Sequence, residues 1–312
     1  MTAVVLALGN LPPLPPPLSD SVAHSPRFLG DPWEVDGMAR IPVSAPVLVI
    51  GTGLTMVDFV ISLDERGHHG PITALSRHGL LPRSHARTGP PVRWEAAALP
   101  RAMAALLAMV RHRVCDEVTQ GGDWRQVIDG LRPHVERIWK DLSHDQRRRF
   151  LRHLRPWWDV HRHRLAPQIA QRLTTHLASR RLLVHAGHVC AIDAIDQALE
   201  LAWRPRGQSA VIHLRGAYVV NCAGPASDFH RIRQKLLREL REDGLLRPDP
   251  LRLGLDVTDD LRVVDAKGHP SERLFAIGPL TRGHFWEVTA VPEIRRQCEA
   301  LAQHLARRFG IA

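Results

Sequence analysis

The chain has 312 residues, with 42 Lys+Arg against 32 Asp+Glu and a formal net charge of +10. A length of this order suits two domains or one large one, and 44% hydrophobic with 24% charged residues exclude an intrinsically disordered chain. Only Lys140, Lys235 and Lys267 are lysines, so 39 of the 42 cations are arginines; they are spread along the chain, which argues against a nucleic-acid-binding face.

Cys115, Cys190, Cys222 and Cys298 lie far apart, with no Cys-x-x-Cys pair and no His at zinc-ligand spacing, so a reduced, cytoplasmic protein is expected. The apolar start, Ala3 to Leu8, lacks the basic leader of a signal peptide. No stretch approaches the ~20 apolar residues that span a bilayer, so no membrane partner is expected.

In chain order, residues 2 to 9, TAVVLALG, read as a short strand buried on both faces of a parallel sheet. The prolines at 12, 13, 15, 16 and 17 then force an extended connector. Val47 to Ile50 predicts a buried strand, Leu54 to Arg66 a helix and Ile72 to Leu75 a second strand, a strand-helix-strand unit. From Trp94 to about Arg180 the pattern is helical, over Ala97 to Val114, Trp124 to Leu142 and Gln146 to Leu154. Short strands return at Leu182 to His188, Leu199 to Arg204 and Val211 to Leu214, with a turn at Pro205-Arg206-Gly207. Ala217 to Ala223, AYVVNCA, echoes the opening strand. A basic helix over 230 to 243, a strand at Leu274 to Ile277 and a helix from Ile294 to Phe309 complete the pattern.

The segment VLVIGTGLTMVDFV, residues 47 to 60, carries the chemistry. Gly51-Thr52-Gly53, with Leu54 and Thr55 opening the helix, sits where a buried strand meets a helix, so the backbone can turn tightly and approach a pyrophosphate at the helix N-terminus. The third small position of this fingerprint is Met56, which predicts looser packing of helix on strand. At the end of the second strand an NAD site places an acidic residue for the ribose 2′-hydroxyl; this chain has Ser76, Arg77 and His78. A cation and a hydroxyl suit a 2′-phosphate, so NADP(H) is expected over NAD(H), unless Arg77 merely covers the sheet edge. His161 and His163 would diverge by about 200° on a helix, so no metal is expected, and Asp159 is expected to pair with an Arg. No Gly-x-Ser-x-Gly elbow is present to support a hydrolase.

Five segments, GTGLTMVDFVISL, ITALSRHGLLPRSHA, RRFLRHLRPWWDVHRHRLAP, YVVNCAGP and LFAIGPLTRGHFWEVTAVPEIRRQ, together resemble the FAD/NAD(P)-binding oxidoreductases, the two-dinucleotide-binding flavoproteins. The resemblance implies an α/β chain: a Rossmann-like three-layer NAD(P)-binding domain over 46–225 with a helical insertion at about 94–180, and an incomplete FAD-binding Rossmann-like domain. Residues 1–45 would be a late strand of the FAD domain and a Pro-rich connector, and 226–312 the return to it. It implies NADPH passing hydride to a flavin, in an oxidoreductase for which a monooxygenase is one option, acting on a small molecule that the sequence does not identify; an Arg-rich nucleic-acid binder is the remote alternative. Gly9 and Asn10 would end this late strand of the FAD domain. Gly278 would end the strand that meets the flavin, with Pro279 where relatives place Asp, and Gly283, His284, Phe285, Trp286 and Glu287 would lie near the isoalloxazine. Nothing before Gly51 supplies the family's FAD Gly-rich loop. The expectation is therefore a truncated protein whose front part is absent or comes from a second chain, or else a degenerate NADP(H)-binding module that has lost FAD.

Overall fold

A computed structural model describes residues 3–310. The chain forms two compact units, a first of Met1–Leu11, Thr88–His153 and Ala226–Ala312, and a second of Pro12–Arg87 and Leu154–Pro225. The strands in chain order are β1 (Val4–Leu6), β2 (Phe28–Leu29), β3 (Val47–Ile50), β4 (Ile72–Ser76), β5 (Leu182–Ile195), β6 (Ala198–Pro205), β7 (Ile212–Gly216), β8 (Tyr218–Asn221), β9 (Arg262–Val264) and β10 (Pro270–Ala276). The helices are α1 (Asp20–Ala23), α2 (Leu54–Glu65), α3 (Met103–Thr119), α4 (Trp124–Leu131), α5 (Val135–Asp141), α6 (His144–Arg149), α7 (Arg155–Arg162), α8 (Pro167–Ala178), α9 (Lys235–Glu242) and α10 (Val291–Phe309).

The second unit is built on a seven-stranded sheet in the order β2-β8-β3-β4-β5-β6-β7. The pairs β2·β8, β8·β3, β3·β4 and β4·β5 are parallel, whereas β5, β6 and β7 run antiparallel. Every residue of β3 is buried, as a central strand of a parallel sheet requires. On one face α2 and α8 bury Met56, Phe59, Val60 and Leu173 against Val47 and Val49. On the other, Val22 of α1 and Leu199, Leu201 and Trp203 of β6 pack with Leu48, Ile50 and Val219. Helices, parallel sheet and a meander thus make three layers. β5 runs well past the expected His188: Leu182 to Ala186 pairs with β4, and beyond Gly187 the strand, bulged between Val189 and Ala191, pairs with β6.

Prolines explain where the helical stretch departs from its periodicity. A 3-10 turn at Ala96–Ala98 ends ahead of Pro100, so α3 starts only at Met103. Pro133 breaks the long helix expected from 124 into α4, a 3-10 turn and α5. A π-turn at Phe150–Leu154 precedes Pro156, which opens α7. By packing, α3 to α6 belong to the first unit and α7 and α8 to the second. The Pro-rich stretch also belongs to the second unit: Asn221 Nδ2 donates to Leu14 O at 3.0 Å, and Ser19 N donates to Ile192 O at 3.0 Å.

The first unit holds a three-stranded sheet, β1-β10-β9, with β1 parallel and β9 antiparallel to β10. Val4 is 53% and Val5 37% exposed, against the expectation of a strand buried on both faces. The reason is its position: among the described residues β1 is an edge strand, paired only with β10. The expected first residue of this strand, Thr2, lies outside the described residues. Ile294, Leu301 and Leu305 set α10 against the core that includes Leu6, Phe275 and Leu280.

One carboxylate ties α2 to α8. Asp64 accepts from Arg172 at 2.9 Å and from Arg181 at 2.6 Å, and these pairings, Arg172 foremost, hold its carboxyl down to about 2. A carboxylate lowered on folding contributes stability that is complete above its unfolded value and is lost as pH falls toward the folded one. Denaturant unfolding should therefore show stability falling between about pH 4 and about pH 2, and Asp64→Asn should flatten that limb; an identical limb in the variant would refute the assignment.

Candidate functional site

The C-terminal ends of β3, β4, β5 and β8 share one edge of the parallel sheet, because these strands run in the same direction. After β3 the chain proceeds to β4 and β5 on one side, while β8 lies on the other, so the crevice between the ends of β3 and β8 is the topological switch point of the sheet. Gly51 turns there with φ +108°, and a Cβ at this position would overlap the Cys222 carbonyl at the end of β8. Opposite it, Gly224 has φ +89° and open space where a Cβ would be. Gly53 is the exposed N-cap of α2, with no side-chain cap and open space at its Cβ position. The first turn of α2, Leu54 to Met56, carries no acidic residue, and its backbone N–H groups have no intrahelical acceptors. Met56 is fully buried in the core under α2, so the long side chain is absorbed between helix and sheet.

The Thr52 and Ser76 hydroxyls, expected as cofactor contacts, are engaged with each other and with the backbone. The buried Thr52 hydroxyl donates to Leu80 O at 2.6 Å and accepts from Ser76 Oγ at 2.8 Å, and Ser76 Oγ in turn accepts the Gly79 N–H at 3.0 Å. The two hydroxyls latch the Gly51 turn to the loop that follows β4. Thr52→Val keeps the shape and strands the Leu80 carbonyl, so urea denaturation should record a loss of about 1–3 kcal/mol; no loss would mean the latch contributes nothing.

That loop carries Arg77, exposed and without an ion pair or hydrogen bond among the described residues, and His78, whose Nδ1 is buried without a hydrogen-bond partner. Burial first, then the guanidinium groups of Arg206 and Arg77, hold the His78 imidazole below its ordinary value. Arg206, in the turn after β6, is a member of this cluster that sequence reasoning missed; there Pro205-Arg206-Gly207 was only a turn. Its backbone N–H donates to Ala186 O at 2.9 Å.

The first unit places its expected flavin residues differently. Gly9 and Asn10 are exposed at the end of β1, and Gly9 (φ +66°) and Gly278 (φ +73°) both have open space where a Cβ would be. The Gly278 N–H, however, is taken by Gln297 Oε1 at 2.8 Å, and Gln297 Nε2 donates to Thr281 Oγ1 at 3.0 Å; Pro279 has no N–H. Trp286 does not offer a face to a flavin: Trp139 stacks on it at 4.6 Å, Phe150 meets it edge-on at 5.5 Å, and the Arg282 guanidinium lies over it at 4.6 Å. Gly283 is a glycine because the buried Asp249 carboxyl occupies the space of its Cβ, and its carbonyl accepts from Trp139 Nε1 at 2.8 Å. Glu287 is buried with φ +73°. A cavity of about 380 Å³ beside Trp286 and Glu287 is lined by ions that pair with one another, Arg132 with Glu293 at 2.9 Å and Lys140 with Asp259 at 2.6 Å. Of these residues the Gly278 N–H and the Trp286 ring are engaged within the first unit and do not by themselves fit a flavin, whereas Gly9 and Asn10 are open. Trp286→Ala should cost about 3–5 kcal/mol in chemical denaturation; a loss under about 1 kcal/mol would place the ring outside the core.

Arg155 and Asp159 pair at 3.4 Å, as expected of the 157–164 block. No cluster of metal-ligating side chains occurs among the described residues, and no helix among them is long and apolar enough to cross a membrane.

No family profile and no curated protein matches the sequence. Solved structures do. The chain is similar to the reduced form of ornithine hydroxylase PvdA from Pseudomonas aeruginosa, at 16% identity and TM-score 0.60, covering 98% of this chain and 62% of that one. It is also similar to the Kutzneria sp. 744 ornithine N-hydroxylase in complex with reduced FAD, NADP+ and L-ornithine, at 14% and 0.59, covering 98% and 64%. The third is L-lysine 6-monooxygenase from Pseudomonas syringae, at 15% and 0.59, covering 97% and 63%. The resemblance to two-dinucleotide-binding flavoproteins read from the sequence thus holds at the level of fold, and the chain spans less than two thirds of each of these proteins.

Proposed function

We propose that the second unit binds NADP(H) and that the chain is the nicotinamide-binding part of a flavin-dependent oxidoreductase of the hydroxylase and monooxygenase kind. One observation carries the reading: an uncapped helix N-terminus behind a glycine-flanked turn whose Thr52 side chain is turned into hydrogen bonds, with the loop of Arg77 latched to it, all at a topological switch point. In this reading the N–H groups of Gly53, Leu54 and Thr55 receive the pyrophosphate, Gly51 and Gly224 keep the crevice clear for backbone approach, and Arg77 takes the ribose 2′-phosphate. Thr52 and Ser76 orient the two loops. The nicotinamide, when bound, supplies a hydride, and the shared fold makes a flavin its natural acceptor.

A second reading, an NADP(H)-binding module that does not hold FAD, is favoured by the commitment of Gly278, Gly283 and Trp286 to the core of the first unit. Under the first reading, FAD would be held in part by residues on a preceding segment or a second chain. Titration of the purified chain by fluorescence should show NADPH bound more tightly than NADH, and Arg77→Ala should weaken NADPH more than NADH; equal losses would refute the phosphate role. Gel filtration after adding FAD tests whether this chain alone holds the flavin. Flavin absorbance that co-elutes supports the oxidoreductase and overturns the module, and a colourless protein that still binds NADPH shows that this chain alone does not hold FAD.

A further inference from the structure

The loop after β4 and the turn after β6 meet on one residue of β5. Ser76, the last residue of β4, pairs with Ala186. Gly79 is pressed against Ala186, whose Cβ lies 3.1 Å from where a Gly79 Cβ would be. The Ala186 carbonyl accepts the Arg206 N–H. Two exposed arginines from remote parts of the sequence, Arg77 and Arg206, are therefore anchored on either side of Ala186, and after burial both act on the charge of the His78 imidazole. Neither guanidinium makes an ion pair or hydrogen bond among the described residues, while many other arginines of the chain, such as Arg172, Arg181 and Arg247, are paired with carboxylates. Two like charges on neighbouring loops without a counter-anion repel, and a dianion between them relieves that repulsion.

We propose that Arg206, from the turn between β6 and β7, forms with Arg77 a two-arginine clamp for a phosphate monoester on the nucleotide ribose, which makes residue 206 a specificity determinant between phosphorylated and unphosphorylated dinucleotides. The inference rests on the NADP(H) reading and deepens it. A guanidinium offers paired N–H donors to phosphate oxygens. The His78 Nδ1, buried and without a hydrogen-bond partner, can add a third donor in the tautomer that carries its proton there.

The test measures binding of NADPH, NADH and 2′,5′-ADP to the wild-type chain, Arg206→Ala, Arg206→Lys and Arg77→Ala, with thermal melting to show that each variant folds. Arg206→Ala should weaken NADPH and 2′,5′-ADP by about ten- to a hundredfold, the worth of one charge-assisted pairing, and leave NADH within about twofold. Arg206→Lys should recover part of the loss, because a point charge replaces the fork. Wild-type preference for NADPH with no effect of Arg206→Ala would overturn the clamp and leave the NADP(H) reading standing. Equal weakening of NADPH and NADH would also overturn it, by showing that Arg206 contacts a part common to both. A wild-type chain that binds neither dinucleotide would overturn both readings.

Discussion

The close approach of Gly51 to the Cys222 carbonyl is the contact on which the second unit's site depends. β3 and β8 are adjacent parallel strands, and the chain leaves β3 through a turn that must clear the end of β8 at once. Any side chain at 51 would occupy the Cys222 carbonyl, and a φ of +108° is a region that L side chains rarely adopt, so both sterics and backbone select glycine. With that turn in place α2 starts at the sheet edge, its first N–H groups face the crevice, and Thr52 falls where its hydroxyl reaches both Ser76 and the carbonyl of Leu80. The opening of the crevice and the placing of the Arg77 loop beside it thus follow from one missing methyl group.

Much of this was legible in the sequence because it is local. The buried run Val47 to Ile50, the Gly-x-Gly turn and the helix after it are contiguous, and their spacing fixes what each does. Arg77 and His78 were legible for the same reason, being the residues that follow the second strand. The roles of Thr52 and Ser76 were not: a hydroxyl beside a phosphate loop reads as a ligand group, and only the fold reveals that the two bond each other across 24 residues. Arg206 was invisible as a partner because it reaches the site through β5 and β6, a pairing that carries no sequence signature.

The first unit shows the opposite case, in which contacts come from distant parts of the chain. Gly278, Gly283 and Trp286 lie on a segment whose resemblance to flavoproteins is strong, and the resemblance assigned them to a cofactor. Their surroundings come from distant chain, Trp139 and Phe150 from the helical stretch and Asp249 from a later loop. The helical stretch itself was expected as a single insertion into the nicotinamide unit. Periodicity gave its helices but not their destinations, and Pro100, Pro133 and Pro156, which cut it into pieces, leave those pieces to pack in different units.

The exposed edge of β1 bears on how the molecule behaves in solution. A strand that pairs on one side only, with Val4 and Val5 open to water, is a template on which another strand can grow. The usual protections, a charged side chain or a proline within the strand, are missing from Val4-Val5-Leu6. Long-range repulsion from a net charge of +10 stands in for them, and it is a protection that salt removes, since at about 1 M ionic strength it reaches only some 3 Å. The arginine excess of this chain is thus also a charge barrier between the open sheet edges of two copies, one that is strongest at low salt.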